Sequence, residues 1–353
     1  MTVAPDRNRG GEHSVVDGPC PFLVVDLCMQ AWPDAGFDVA HRHGITAYGV
    51  TAFDPHDTFE QAVERLMYWH LVGRRYPNLD VAVSVGEVRR AREAGRAALL
   101  LFSQGGDFIA GRLHRIEAMQ RLGLRVMIPA YNRTNELCDG LLDTTSGGVT
   151  RFGRLVIEEC NRLGIVLDCT HVGARSAREI IDSSSDPVIF SHSNPSRLAP
   201  NPRNIDDTLI QACAARGGLI GLVAWGPLVM RPGTTHWPTL DEYIDLIAYA
   251  ANLLGGTAHL AFSTDMSLGT YPRHDADPWG APPYPGIADD YGRHVTADPR
   301  SAKRSLDGFS DYAHVFALAE RMLARGFSEH DVRGILGEHA LHLFEQVWHR
   351  VSR

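Results

Sequence analysis

"GIVLDCTHVGARSAREIIDSSSDPVIFSHSN", residues 164–194, holds two short apolar runs separated by a helix-like segment. The first begins at Ile165 and runs on to His171; the second begins at Val188 and runs on to His192. Apolar runs this short, bounded by turn residues and joined through a helix-length crossover, read as consecutive parallel strands buried on both faces. Each of these two ends in a histidine.

The same pattern recurs along the chain. Further strand candidates are "FLVVDLC" at 22, "ITAYGVTAF" at 45, "AALLLFS" at 97, "RVMIPAY" at 125, "GLIGLVAWG" at 218 and "HLAFSTD" at 259. With the two above they make eight. Helical patterns lie between most of them. "DTFEQAVERLMYWHLVG" offers Asp57 and Thr58 as caps and places Phe59, Val63, Leu66 and Met67 on one face. "TRFGRLVIEECNRLG" starts at a Thr cap, spaces Phe152, Leu155, Val156 and Leu163 helically, and stops at Gly164. Eight strands alternating with helices over 353 residues predict a (β/α)8 TIM barrel. "YPNLDVAVSVGEVRRAREAG" inserts an extra strand and helix before the third barrel strand. "SLGTYPRHDADPWGAPPYPGIADDYGRHVTADP" reads as a long loop after the eighth, and helices are expected from Asp311 to about His349. Residues 1–18 are expected to be disordered and residues 19–353 to form one domain.

Composition narrows the function. A net charge of -8 argues against a nucleic-acid partner. No apolar run approaches the roughly 18 residues that span a bilayer, so no membrane partner is expected. The start, "MTVAPDRNRGGEHSVVDG", has no apolar leader core, and a cytoplasmic location is expected. The six cysteines include no CxxC pair and should be reduced, mostly buried thiols. Neither a GxGxxG after the first strand nor a phosphate-binding P-loop is present.

In such barrels the site forms at the carboxyl ends of the strands. The polar residues predicted there are Asp26, Cys28 and Gln30 at strand one, Ser103 and Gln104 at strand three, and Tyr131 and Asn132 at strand four. Strand five brings Asp168 and His171, strand six His192, and strand eight Thr264 and Asp265. Two imidazoles on adjacent strands and a nearby carboxylate suit a divalent metal such as zinc. Seventeen histidines make chance placement the competing explanation. The pairing on consecutive strands and the strand-eight aspartate weigh against it. The histidines at positions 70, 314, 330, 339 and 342, among others, read as surface or lid residues.

"GGVTRFGRLVIEECNRLGIVLDCTHVG", "PVIFSHSNPSRLAPNPRNIDD", "GGLIGLV", "HLAFSTDM" and "VRGILGEHALHLFEQVW" together resemble the membrane (renal) dipeptidase family of metal-dependent, amidohydrolase-like barrels. The resemblance runs from about residue 20 to 349. It implies a binuclear site in which a first-strand H-x-D and a bridging glutamate join two histidines. His171 and His192 match those histidines. Asp265 matches the aspartate that handles the proton of the attacking water, and Arg203 the arginine that grips the substrate carboxylate. The alternative for Arg203 is a salt bridge holding the helix start near Asp207.

The other half departs from the family. Cys28 and Gln30 stand where the family has His and Asp, Gln104 replaces the bridging glutamate, and Tyr131 replaces a histidine facing the scissile carbonyl. Neutral amides cannot offset two dications about 4 Å apart, whose repulsion is several kcal/mol even at an effective dielectric of about 20. One divalent metal, zinc by preference, is therefore expected at His171 and His192 with Asp265 or Cys28, and the second metal site is expected to be lost. Gln30, Gln104 and Arg203 are expected to face the substrate, and Tyr131 is expected to be catalytic together with Asp265. The resemblance points to a metal-dependent hydrolase of a small amide or peptide-derived substrate with a free carboxylate, diverged from ordinary dipeptide hydrolysis, and to a homodimer. The alternatives are a biosynthetic tailoring enzyme with different chemistry on the same barrel, or a non-catalytic homologue that binds a small molecule.

Overall fold

The computed structural model describes residues 20–31, 35–143, 146–268 and 305–348. The segment expected to be disordered, 1–18, lies outside these, as does most of the long loop predicted after the eighth strand.

All eight predicted runs form strands. They are β1 (Val25–Ala31), β2 (Ala47–Thr51), β4 (Ala97–Ser103), β5 (Leu124–Met127), β6 (Val166–Leu167), β7 (Ile189–Phe190), β8 (Leu219–Val223) and β9 (Leu260–Ser263). The inserted strand is β3 (Leu79–Val81), which pairs with the start of β4, and the helix Val85–Glu93 follows it. A further short strand, β10 (Met266–Leu268), comes directly after β9 and pairs with Met29–Ala31 of β1.

Every ladder is parallel, and the strands fall into two sheets, β10-β1-β2-β4-β5-β6 and β7-β8-β9. The sheets meet at two seams, which sets the strands in the ring order of an eight-stranded barrel. At the first seam Asp168 bridges Ile189, and the Asp168 carboxylate accepts from the backbone N–H groups of Thr170 at 2.9 Å and Ser191 at 3.0 Å. At the second, the Asp26 carboxylate accepts from the N–H groups of Cys28 at 3.1 Å and Thr264 at 2.9 Å. Each buried aspartate supplies acceptors where the ladder stops, so the backbone donors stay satisfied.

The near-continuous apolar runs are explained by burial on both faces. One set of side chains fills the barrel interior: Val25, Leu27, Leu100, Val126, Val166, Ile189, Leu219 and Ala261, with Phe344 and Val347 of the helix His339–Trp348. The opposite set meets the surrounding helices. The interior is tight enough to demand glycine at Gly221, where a Cβ would stand 2.0 Å from the Ser191 carbonyl oxygen.

Helix ends follow the local signals. Thr58 forms a capping box with Gln61 at the start of the helix Phe59–Arg75, while Asp57 pairs instead with Arg65 at 2.8 Å. Thr150 caps the helix Arg151–Leu163, and Gly164 ends it in the left-handed conformation with φ 66°. The predicted faces need two corrections. Met67 is 41% exposed and Leu155 43% exposed, and the buried faces are set by Ala62, Leu66, Trp69 and Val72, and by Val156, Ile157, Cys160 and Leu163. Helical spacing locates an apolar stripe only to within a residue, and the neighbouring helices choose its centre.

Candidate active site

The strand ends bring the predicted residues into two hydrogen-bonded groups. The first is built on β1, β2, β4 and the turn after β9. The Cys28 thiol donates to Asp265 Oδ1 at 3.6 Å, and Gln30 Nε2 donates to the same oxygen at 3.3 Å. Gln104 Nε2 donates to Cys28 Sγ at 3.3 Å and to Thr51 Oγ1 at 2.9 Å. An amide–thiol–carboxylate chain thus runs Thr51–Gln104–Cys28–Asp265–Gln30. Burial, then the nearby Asp265, Asp26 and Asp168 carboxylates, hold the Cys28 thiol well above its ordinary pKa. It is therefore a neutral donor here, whereas zinc takes a thiolate.

The second group is the histidine pair. His171 Nε2 and His192 Nε2 lie 3.0 Å apart. His171 Nδ1 lies 2.6 Å from Asn132 Oδ1, and His192 Nδ1 lies 2.7 Å from Ser191 Oγ. Both imidazoles are pushed well below their ordinary pKa, first by burial and then by the positive charge of Arg203. Both are therefore neutral, and one ordered chain satisfies them: Ser191 Oγ–H to His192 Nδ1, His192 Nε2–H to His171 Nε2, and His171 Nδ1–H to Asn132 Oδ1. The Tyr131 ring stacks on His171, with centroids 4.0 Å apart.

Backbone strain concentrates at the same place. Asn132, His171 and Asp265 have φ of 61°, 67° and 49°, three of the four left-handed residues other than glycine among those described. Such conformations cost about 1–3 kcal/mol each and are held only where the surroundings over-determine them.

Arg203 is 3% exposed, and its Nη2 donates to the His192 carbonyl at 3.4 Å. Its loop is pinned by asparagines. Asn194 exchanges both bonds with the backbone of Val223, at 3.0 and 2.9 Å, and Asn204 Oδ1 accepts from Asn194 N at 3.0 Å. Asp206 caps the following helix, Asp207–Ala215, and Asp207 takes the Tyr249 hydroxyl.

Residues 34–276 match the family model described as membrane dipeptidase, Peptidase family M19. The chain belongs to this family. It is 23% identical over 309 residues to Dipeptidase verJ of Clonostachys rogersoniana, covering 87% of this chain and 69% of the relative. Dipeptidase tcpJ of Claviceps purpurea (strain 20.1) is 25% identical over 295 residues, covering 82% of this chain but only 60% of the relative. Among solved structures, an amidohydrolase from Pseudomonas aeruginosa is similar with a TM-score of 0.79 and 26% identity, over 93% of this chain and 97% of the other.

Family membership implies a divalent metal, and the two halves of the site fit one unequally. The histidine half suits a single ion: both Nε2 atoms face one another, and His171 donates its Nδ1–H to Asn132. The Ser191 hydroxyl, which can accept as well as donate, would take the Nδ1–H of a ligating His192 once the proton between the two rings is displaced. The half with Cys28, Gln30 and Gln104 does not fit, because its neutral amides and neutral thiol hydrogen-bond to one another and to Asp265. Among the described residues no three His, Cys, Asp or Glu side chains gather as a metal-binding group.

Two residues of the site, Ser191 and Thr51, were not singled out from the sequence: Ser191 orients His192 and Thr51 anchors Gln104. Asn132, Asp26 and Asp168 read in the sequence only as polar strand ends, and the structure gives them roles, Asn132 in orienting His171 and the two aspartates in stitching the seams. The signal for all five is a polar residue at or near the end of an apolar strand. Two histidines read as surface groups are also structural: the His70 ring bonds the Leu122 carbonyl at 2.8 Å and the His339 ring the Leu260 carbonyl at 3.0 Å. All six cysteines are unbridged and buried.

Proposed function

We propose that this chain is a diverged hydrolase of the dipeptidase family, acting on a small amide or peptide-derived substrate with a free carboxylate. The observation that carries this reading is the asymmetry of the site. The histidine half is oriented as a ligand pair, whereas the other half is a hydrogen-bonded chain of neutral groups ending on Asp265.

In this reading His171 and His192 hold at most one divalent ion, zinc by preference. Such an ion would supply Lewis-acid polarisation of the substrate carbonyl. Arg203 binds the substrate carboxylate through its planar, two-pronged guanidinium. Asp265 takes and returns the proton of the attacking water. Its Oδ1 already accepts from Cys28 and Gln30, which fixes the carboxylate in place and occupies that oxygen. Tyr131, stacked on His171, shields the ring from water on that side. Common dipeptides are therefore expected to be cleaved weakly.

The same bonds to Asp265 favour a second reading, a non-catalytic binder of the same substrate class. The test is a panel of dipeptides and N-acyl amino acids incubated with the full chain, with products followed by mass. Turnover of a carboxylate-bearing amide that is lost in Asp265→Asn supports the hydrolase. Saturable binding without product from any member of the panel would overturn it in favour of the binder.

A further inference from the structure

A cavity of about 320 Å³ opens beside the amide–thiol chain, within the size range of small-molecule sites. Gln30, Gln104 and Tyr131 line one part of it, and Phe37, Phe53, Trp69 and Tyr76 line another. The aromatic part is prepacked: Phe37 meets Trp69 and Tyr76 edge-on, with centroids 6.4 and 5.7 Å apart. Trp69 Nε1 donates to the Ala52 carbonyl at 2.9 Å, so the indole presents ring surface rather than a donor.

The polar part has a direction. The Cys28 thiol donates to Asp265, so its hydrogen points that way and the sulfur accepts from Gln104. The second amide hydrogen of Gln104 goes to Thr51 Oγ1. The carbonyl oxygen of Gln104, a side chain only 5% exposed, is then the group left to meet a ligand. Gln30 likewise turns its nitrogen to Asp265 and keeps its oxygen for the cavity. Asp54 adds a carboxylate to the lining. The guanidinium of Arg65, which also lines the cavity, is engaged by Asp57 at 2.8 Å.

Acceptor oxygens, a carboxylate and aromatic faces together select a cationic donor on an apolar body. We propose that this cavity binds an amine carried on an aromatic or similarly bulky apolar group. The apolar body packs among Phe37, Phe53, Trp69 and Tyr76, and the ammonium faces the Gln104 and Gln30 oxygens. The two glutamines that replace metal ligands thus serve recognition. The inference rests on the peptide-derived substrate proposed above and gives that substrate an amino end and a bulky side chain.

The test uses three probes of one shape, titrated into the full chain and followed by tryptophan fluorescence and calorimetry: phenethylamine, 2-phenylethanol and 3-phenylpropionate. Phenethylamine should bind about tenfold or more tightly than either of the others. Gln104→Leu should remove most of that preference while leaving 2-phenylethanol binding in place, and Trp69→Ala should weaken all three. Equal affinities, a preference for the carboxylate, or no saturable binding of phenethylamine at millimolar concentration would overturn the inference. The ligand series in the unmodified protein decides the matter even if a variant does not fold. The probes contain no scissile bond, so their failure to bind would sink this inference and leave the hydrolytic reading to its own assay.

Discussion

Replacing Asp26 with asparagine tests how the barrel is joined at the seam between β9 and β1. Asp26 is fully buried and accepts four hydrogen bonds, from Cys28 N, Thr264 N, Thr264 Oγ1 and the Tyr312 hydroxyl. Burial outweighs those bonds and pushes its pKa from 3.8 up to about 6. The folded state therefore holds the proton more tightly than the unfolded chain. Protonated Asp26 favours folding below pH 4, and that contribution is lost as pH rises through about 6. A pKa higher by about 2, at about 1.4 kcal/mol per pH unit, corresponds to about 3 kcal/mol over the full window. Asparagine keeps the shape but does not titrate, so any constant penalty of the variant cancels when its pH dependence is compared with the parent's. Urea unfolding of both proteins at pH 4 and pH 7 should show the parent losing about 2 to 3 kcal/mol relative to Asp26→Asn across that interval. A difference that stays flat with pH, or one in which the parent gains toward pH 7, would refute the claim that burial dominates at this seam.

Three further outcomes are expected. Elemental analysis of protein purified without added metal should find at most one equivalent per chain, and Cys28→His, Gln30→Asp and Gln104→Glu together should raise uptake toward two; two equivalents in the parent would show the hydrogen-bonded half to be metal-competent as it stands. Arg203→Lys should weaken binding of carboxylate-bearing substrates by about tenfold or more, because a point charge lacks the guanidinium fork; unchanged affinity in a binding titration would remove Arg203 from the substrate contact. Gly221→Ala forces a Cβ to within 2.0 Å of the Ser191 carbonyl oxygen and should destabilise the barrel by more than about 3 kcal/mol or prevent folding; a thermal midpoint within a few degrees of the parent would mean that β7 and β8 can spread.

The strands could be read from the chain because burial on both faces leaves a local mark. A run such as "AALLLFS" needs no partner to declare itself, and Thr58, Thr150 and Gly164 mark helix ends by chemistry confined to a single turn. The two histidines were legible for the same reason, since each closes a run whose end must lie at the barrel mouth. Distances across the ring were not legible. Nothing in the spacing of Cys28, Gln30, Gln104 and Asp265, spread over more than two hundred residues, indicates that they share hydrogen bonds. That the two imidazoles face each other Nε2 to Nε2 depends on Asn132, Ser191 and a left-handed backbone at His171. The cavity likewise draws Phe37, Trp69 and Gln104 from separate segments. The sequence by itself determined the order of strands and the residue types at their ends, because those follow from local polarity. Only the tertiary structure decided which of those ends bond to one another, because closing strands into a ring places residues side by side without regard to their separation along the chain.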